Sequence, residues 1–172
     1  MKFSITKSQY NALFLCQTKN DVRYYLAGTH INVDKSRLES TNGHAMVTVS
    51  VTFFERHSDD TNVIVKLPKK APAKARTVFI ADGLARFHDK NGEMFESVPL
   101  EIIEANFVDC ERVLIKPEQQ TTPTEHFGVN PKLFAPICSE FAGLIFGFKF
   151  YDQKMVCDLD DKTKLTVMLT RI

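Results

Sequence analysis

The chain has 172 residues, enough for one sizeable core or two small ones, and 44% of them are hydrophobic, which excludes a disordered polymer. Its 22 basic and 21 acidic residues leave a net charge of +1, so nothing global demands nucleic acid, and any DNA-facing charge has to be local. No stretch supplies the ~20 apolar residues that span a bilayer, and MKFSITKSQY lacks the apolar core of a signal peptide, so a cytoplasmic protein with no membrane partner is expected.

Residues 2–5 read as a short strand. Thr6 then caps a helix, with Gln9 three residues on as the second half of a capping box. Tyr10, Leu13, Phe14 and Gln17 follow helical spacing, while Lys7, Asn11 and Thr18 fall on another face. Three strands come next, over Val22–Val33, Arg37–Thr41 and Ala45–Phe54. Asp34-Lys35-Ser36 makes the first turn. Asn42-Gly43 makes the second, because both residues accept φ > 0 at the centre of a hairpin.

A second unit opens on the alternation Val63, Val65, Leu67. In LPKKAPAKAR, Pro68 and Pro72 argue against a regular helix. Strands follow over Arg76–Ala81, Leu84–Asp89 and Glu93–Val98, with hairpin turns at Asp82-Gly83 and Asn91-Gly92. Periodicity is lost from Pro99 to Thr124, and KPEQQTTPT suits a linker. In a third unit Phe127 and Val129 read as strand. Asn130-Pro131 starts a helix that Pro136 shortens or kinks before Phe141. Leu144–Phe150, Met155–Leu159 and Leu165–Leu169 close the chain as strands. The expected architecture is α+β. It has three β-α-β-β-β units, the second without a proper helix, with antiparallel sheets outside and short helices on one side. The expected division is a domain over 1–115, a linker over 116–124 and a half domain over 125–172.

No catalytic set emerges. Cys16, Cys110, Cys138 and Cys157 form no CxxC pair and read as small buried hydrophobes. His30, His44, His57, His88 and His126 show no metal-ligand spacing, so no metal is expected. His57, Ser58, Asp59 and Asp60 are consecutive, and consecutive side chains do not converge as a triad must. Asp160-Asp161 before Lys162 is a common hairpin turn. There is no phosphate-binding glycine loop, so neither a cofactor nor an enzyme is expected. Charge is uneven, however. Lys66, Lys69, Lys70, Lys74 and Arg76 run with no acid until Asp82. Such a run either meets DNA phosphates or is an ordinary solvated loop. No aromatic is interleaved in it, so it is not a single-strand stacking platform.

Three stretches carry a family resemblance. Tyr25-Leu26-Ala27-Gly28 followed by Thr41-Asn42-Gly43-His44-Ala45-Met46 resembles the Tyr-Leu-Asn-Gly and Thr-Asp-Gly-His-Arg-Leu pattern of the middle domain of the bacterial DNA polymerase sliding clamp. Ala27, Asn42, Ala45 and Met46 depart from it. Phe107-Val108-Asp109-Cys110-Glu111-Arg112-Val113-Leu114-Ile115 is similar to the Phe-Pro-Asp-Tyr-x-Arg-Val-Leu-Pro that ends that domain. Val108, Cys110 and Ile115 are the departures there. Met168-Leu169-Thr170-Arg171-Ile172 resembles the family's terminal Met-Pro-Met-Arg-Leu, and Phe127-Gly128-Val129-Asn130 its Phe-Asn-Val-Ser.

The resemblance implies a DNA-clamp-like fold, built like the middle domain plus half of the last. It implies a processivity factor that holds a DNA polymerase or another clamp-binding protein by a linear peptide motif. The implied pocket is Thr41, Gly43, His44, Met46, Val113, Ile115, Pro131, Met168, Leu169 and Ile172. It also implies helices facing duplex DNA non-specifically, through Lys7, Lys19, Lys66, Lys69, Lys70, Lys74, Arg76 and Lys132, and a homo-oligomer where a ring closes. Two alternatives stand beside this. One is a clamp-like peptide-binding adaptor or decoy that never encircles DNA, which the near-zero net charge favours. The other is an unrelated α+β structural protein in which Phe107, Met168 and Leu169 are simply core.

Overall fold

The computed structural model describes residues 1–19, 21–57, 60–114, 127–141, 143–144, 146–151 and 153–171. In chain order the elements are β1 (Lys2–Thr6), α1 (Lys7–Cys16), β2 (Thr29–Asn32), β3 (Arg37–Thr41), β4 (Ala45–Ser50), β5 (Phe53–Glu55), β6 (Val63–Lys66), β7 (Thr77–Ala81), β8 (Leu84–His88), β9 (Met94–Pro99), β10 (Glu101–Ile103), β11 (Phe127–Gly128), α2 (Pro131–Cys138), β12 (Phe148–Tyr151), β13 (Lys154–Asp158), β14 (Thr163–Met168) and β15 (Thr170–Arg171).

Two large antiparallel sheets hold all of these strands but β11 and β15, which pair with each other alone. β1 lies between β5 and β7, in a five-stranded sheet of order β5-β1-β7-β8-β9. β6, from the second unit, pairs instead with β2 of the first. The second sheet has eight strands, β10-β6-β2-β3-β4-β14-β13-β12. β14 pairs with β4 from Thr163↔Val49 to Val167↔Ala45, so the last three strands extend the sheet built by the first unit. α1 lies against β3 and β4, and α2 packs on α1. One buried cluster holds Phe3, Tyr10, Leu13, Leu38, Val47, Phe87 and Leu165 together. This is the α+β arrangement of two antiparallel sheets with few, short helices.

The helix starts follow their caps. Thr6 accepts from Gln9 N at 3.2 Å while Gln9 Oε1 accepts from Thr6 N at 3.0 Å, a complete capping box. Asn130 accepts from Lys132 N at 3.0 Å with Pro131 in the first turn, and α2 gives way to a 3-10 turn at Ser139–Phe141 two residues past Pro136. The stretch 68–76 has no regular helix. Its backbone is satisfied by α1 instead: Ala71 N donates to Asn11 Oδ1 at 2.8 Å, and Arg76 O accepts from Lys7 N at 3.0 Å. Asn11, on the face of α1 away from the Tyr10–Phe14 stripe, is therefore 2% exposed.

Several expectations need correction. Of the strand read over Leu144–Phe150, the described residues before Phe148 are not strand, and the stretch from Pro99 read as aperiodic carries β10 over Glu101–Ile103. The strand read over Val22–Val33 begins as a 3-10 turn at Tyr24–Ala27, and only Thr29–Asn32 is strand. Asp21 draws in the Arg23 backbone N–H at 2.8 Å, and Leu26 N donates back to Arg23 O at 2.9 Å, bonds that coil the chain locally. The strand read over Ala45–Phe54 breaks after Ser50, because its end crosses to the other sheet, where Phe53 meets Phe3 edge-on at 5.6 Å. The hairpin turn is also shifted by one residue. Asn42 N donates to Ala45 O at 3.2 Å, so Gly43 and His44 are its central pair, with Gly43 at φ 86° as the first position of a type II′ turn requires. Asn42 instead accepts from His44 N and Ala45 N, at 2.9 and 2.8 Å, with its side chain. Asp82-Gly83 matches its expectation, with φ of 53° and 72°. The linker read over 116–124 lies outside the described residues.

Candidate functional site

Alternation along β3, β4 and β14 divides the eight-stranded sheet into two faces. Leu38, Val47 and Leu165 belong to the core under α1. The residues between them point the other way. Thr41, Met46 and Thr166 stand in register across the three strands, with Met168 two residues beyond Thr166. This outward row floors a cavity of about 240 Å³. Met46 is 3% exposed yet lies outside the main core, as do Leu26 and Cys110. A second small apolar cluster therefore sits on the sheet's far face, beside the cavity.

Three segments wall it. The 3-10 turn brings Arg23 and Leu26, and the hairpin supplies Gly43, His44 and Ala45. Residues 108–113 contribute Val108, Asp109, Cys110 and Val113 from a short 3-10 turn at Cys110–Arg112, capped by Asp109 accepting from Glu111 N at 3.1 Å. A Cβ on Gly43 would lie 2.9 Å from Arg23 Nη2, so this glycine both makes the turn and lets the guanidinium approach. Arg23 is held by Asp21 through Nε at 3.0 Å and Nη2 at 2.8 Å. These bonds hold the Asp21 carboxyl down to about 2. The Thr41 hydroxyl is committed to the hairpin, donating to Ala45 O at 2.8 Å and accepting from Gly43 N at 3.1 Å.

Of the ten pocket residues expected by resemblance, the cavity brings together Thr41, Gly43, His44, Met46, Val113 and Met168. Pro131 does not line it; it is exposed at the start of α2. Leu169 does not line it either, because the step past Met168 turns it onto the main core. Ile115 and Ile172 lie outside the described residues. Sequence reasoning missed Arg23, Leu26, Ala45, Val108, Asp109, Cys110 and Thr166. Leu26, Ala45 and Val108–Cys110 lay inside the motifs that carry the resemblance, and period two from Met168 points to Thr166. Nothing local marks Arg23.

The basic run has a different fate. Lys66 pairs with Glu101 at 3.1 Å, Lys69 with Glu96, Lys70 with Glu140 at 2.6 Å, and Lys74 with Asp89 at 3.2 Å. Lys74 also lies 5.1 Å from the Phe95 ring centroid. The run's neutralising acids are Glu96 and Glu101 on β9 and β10, Asp89 just after β8, and Glu140 in the turn after α2. Arg76 is exposed, its side chain reaching Ala75 O and no other described residue, and Lys7 donates to Ala73 O at 3.0 Å. Lys7, Lys19, Arg76 and Lys132 form no ion pair with another described residue. Among the described residues no cluster of His, Cys, Asp and Glu could hold a metal ion, all four cysteines are free, and no helix is long and apolar enough to cross a membrane.

No protein-family model matches the sequence, and no curated protein matches it either. Solved structures do match. The DNA polymerase sliding clamp from Pseudomonas aeruginosa aligns with TM-score 0.60 at 15% identity, over 100% of this chain and 67% of that one. The DNA polymerase III subunit beta from Borrelia burgdorferi, solved in complex with a natural product, aligns with TM-score 0.65 at 14% identity, over 100% of this chain and 63% of that one. The C. crescentus beta sliding clamp, solved with polyethylene glycol bound to its proposed beta-motif tethering region, aligns with TM-score 0.62 at 15% identity, over 99% and 65%. This chain has the fold of a bacterial sliding clamp and spans about two thirds of the length of those proteins.

Proposed function

We propose that this chain is a sliding-clamp-like accessory protein of DNA replication that holds a DNA polymerase or another partner by a linear peptide with apolar anchors. It binds rather than transforms. The observation that carries this reading is the convergence, on the face of the sheet away from the helices, of Thr41, Gly43, His44, Met46, Val113 and Met168 around one cavity. Its about 240 Å³ falls below the ~300–1,000 Å³ of small-molecule sites and suits one or two side chains. Leu26, Met46, Val108, Val113 and Met168 give those side chains apolar contact, and Arg23 and His44 bring hydrogen-bond donors to the same lining.

The adaptor reading, in which the chain never encircles DNA, is favoured by one observation: four of the five cations in the run 66–76 are already paired. Any duplex contact is then left to Lys7, Lys19, Arg76 and Lys132. Fluorescence anisotropy tests the main reading, with a labelled peptide whose two apolar anchors are leucine and phenylalanine and its double-alanine control. Saturable binding of the first and none of the second is the expected result. Equal binding of both, or of neither, removes it. Solution size and duplex titration with the same preparation separate a ring-forming clamp from a monomeric adaptor.

A further inference from the structure

The wall formed by residues 107–113 belongs to a segment that contributes no strand to either sheet. Ladder hydrogen bonds therefore do not hold it. Arg37 stands on β3 in the same outward row as Glu39 and Thr41. Its Nε donates to Glu39 Oε1 at 2.7 Å, and its Nη2 donates to Glu111 Oε1 at 2.5 Å. Glu39 is 1% exposed, and its second oxygen lies 2.8 Å from His30 Nδ1. The His30 ring stacks on Phe107, with centroids 4.9 Å apart and planes at 25°. Phe107 and Glu111 bracket Val108, Asp109 and Cys110, all of which line the cavity.

We propose that Arg37 and Glu39 are positioning residues of the peptide pocket: through Glu111 on one side and His30–Phe107 on the other they fix the wall that the peptide packs against. The inference rests on the peptide-pocket reading of the cavity. A buried carboxylate needs a partner, and a buried ion pair is a weak source of stability compared with an apolar isostere. What the network supplies here is placement. The guanidinium offers separate N–H groups to two carboxylates at fixed angles, one in the sheet and one in the wall, which a lysine at the same position does not. The peptide touches neither Arg37 nor Glu39, since neither lines the cavity.

Two variants test this, Glu111→Gln and Arg37→Lys. Each is read by iodoacetamide alkylation of Cys110, mapped by mass spectrometry, and by affinity for the leucine-phenylalanine peptide. Cys110, in the wall itself, is 4% exposed, while Cys16 and Cys157, buried in the main core, report global unfolding. In both variants Cys110 should alkylate about tenfold faster with Cys16 and Cys157 still protected, and peptide affinity should fall about tenfold, as expected for one charged hydrogen bond. An unchanged Cys110 rate overturns the proposal. So does simultaneous exposure of all three thiols, or faster alkylation with peptide affinity intact. A parent protein that fails to bind the peptide removes the pocket reading instead, and the Cys110 rate still decides whether the network holds the wall.

Discussion

The cavity and the basic run 66–76 are built by opposite logic. The cavity's lining comes from four separated stretches, at 23–26, 41–46, 108–113 and 166–168, and becomes a site only when the strands pair. The basic run is contiguous in sequence and conspicuous there. In space its lysines are paired off by Glu96, Glu101, Asp89 and Glu140. Charge density along a chain is thus a poor guide to surface potential when the neighbouring strands carry the opposite sign, whereas period-two alternation is a good guide to a face.

The largest effect separating the two regions should come from their ion pairs. Arg37→Ala leaves the buried Glu39 without its guanidinium, with His30 as the remaining basic partner among the described residues, and should cost ~3–5 kcal/mol of unfolding free energy. Lys69→Ala, at a solvent-exposed pair, should cost no more than ~1 kcal/mol. Urea denaturation of both variants checks the contrast, and equal costs would erase it. Met168→Ala should weaken binding of the leucine-phenylalanine peptide about tenfold, the ~1–2 kcal/mol of an interface anchor, with little change in melting temperature because Met168 is only half-buried.

Acid should sharpen the contrast next. Burial pushes the Glu39 carboxyl up, but His30 and Arg37 together outweigh it, so the group ends below the usual 4.5. A carboxyl depressed by folding contributes stability that is complete above the unfolded value and is lost as pH falls through the folded one. The parent should therefore lose stability below about pH 4.5 more steeply than Glu39→Gln. Parallel pH profiles would mean that Glu39 is not held ionised. The smallest effect is expected from the triple change Lys69→Ala, Lys70→Ala, Lys74→Ala on duplex association. Each phosphate left without its cation would lower the log–log salt slope by about 0.9, and lysines already paired within the protein should leave the slope unchanged.

Much of the fold was legible because its signals are local. The capping box at Thr6, the N-cap at Asn130, the Asp82-Gly83 turn and the two prolines that remove a helix from 68–76 act within a few residues. The misplaced strand at Val22–Val33 failed because apolar composition is silent about Asp21, whose bonds to Arg23 coil the chain. The cavity was half legible. Met46 and Met168 lie where alternation and resemblance put them, and Leu169 does not, since one step along a strand reverses the face. Arg23 was invisible because its role depends on an approach over Gly43 across the hairpin. Pairing of the lysines was invisible for the same reason. Which acid meets which base is decided by sheet order, as with Lys66 and Glu101 on adjacent β6 and β10.

Amide chemical-shift mapping during titration with the leucine-phenylalanine peptide tests the pocket most directly. Saturable shifts are expected, centred on Gly43–Met46, Val108–Val113 and Met168, with residues 66–76 and the exposed side of α2 unmoved. Absence of saturable shifts, or shifts centred on 66–76 instead, would contradict the peptide pocket.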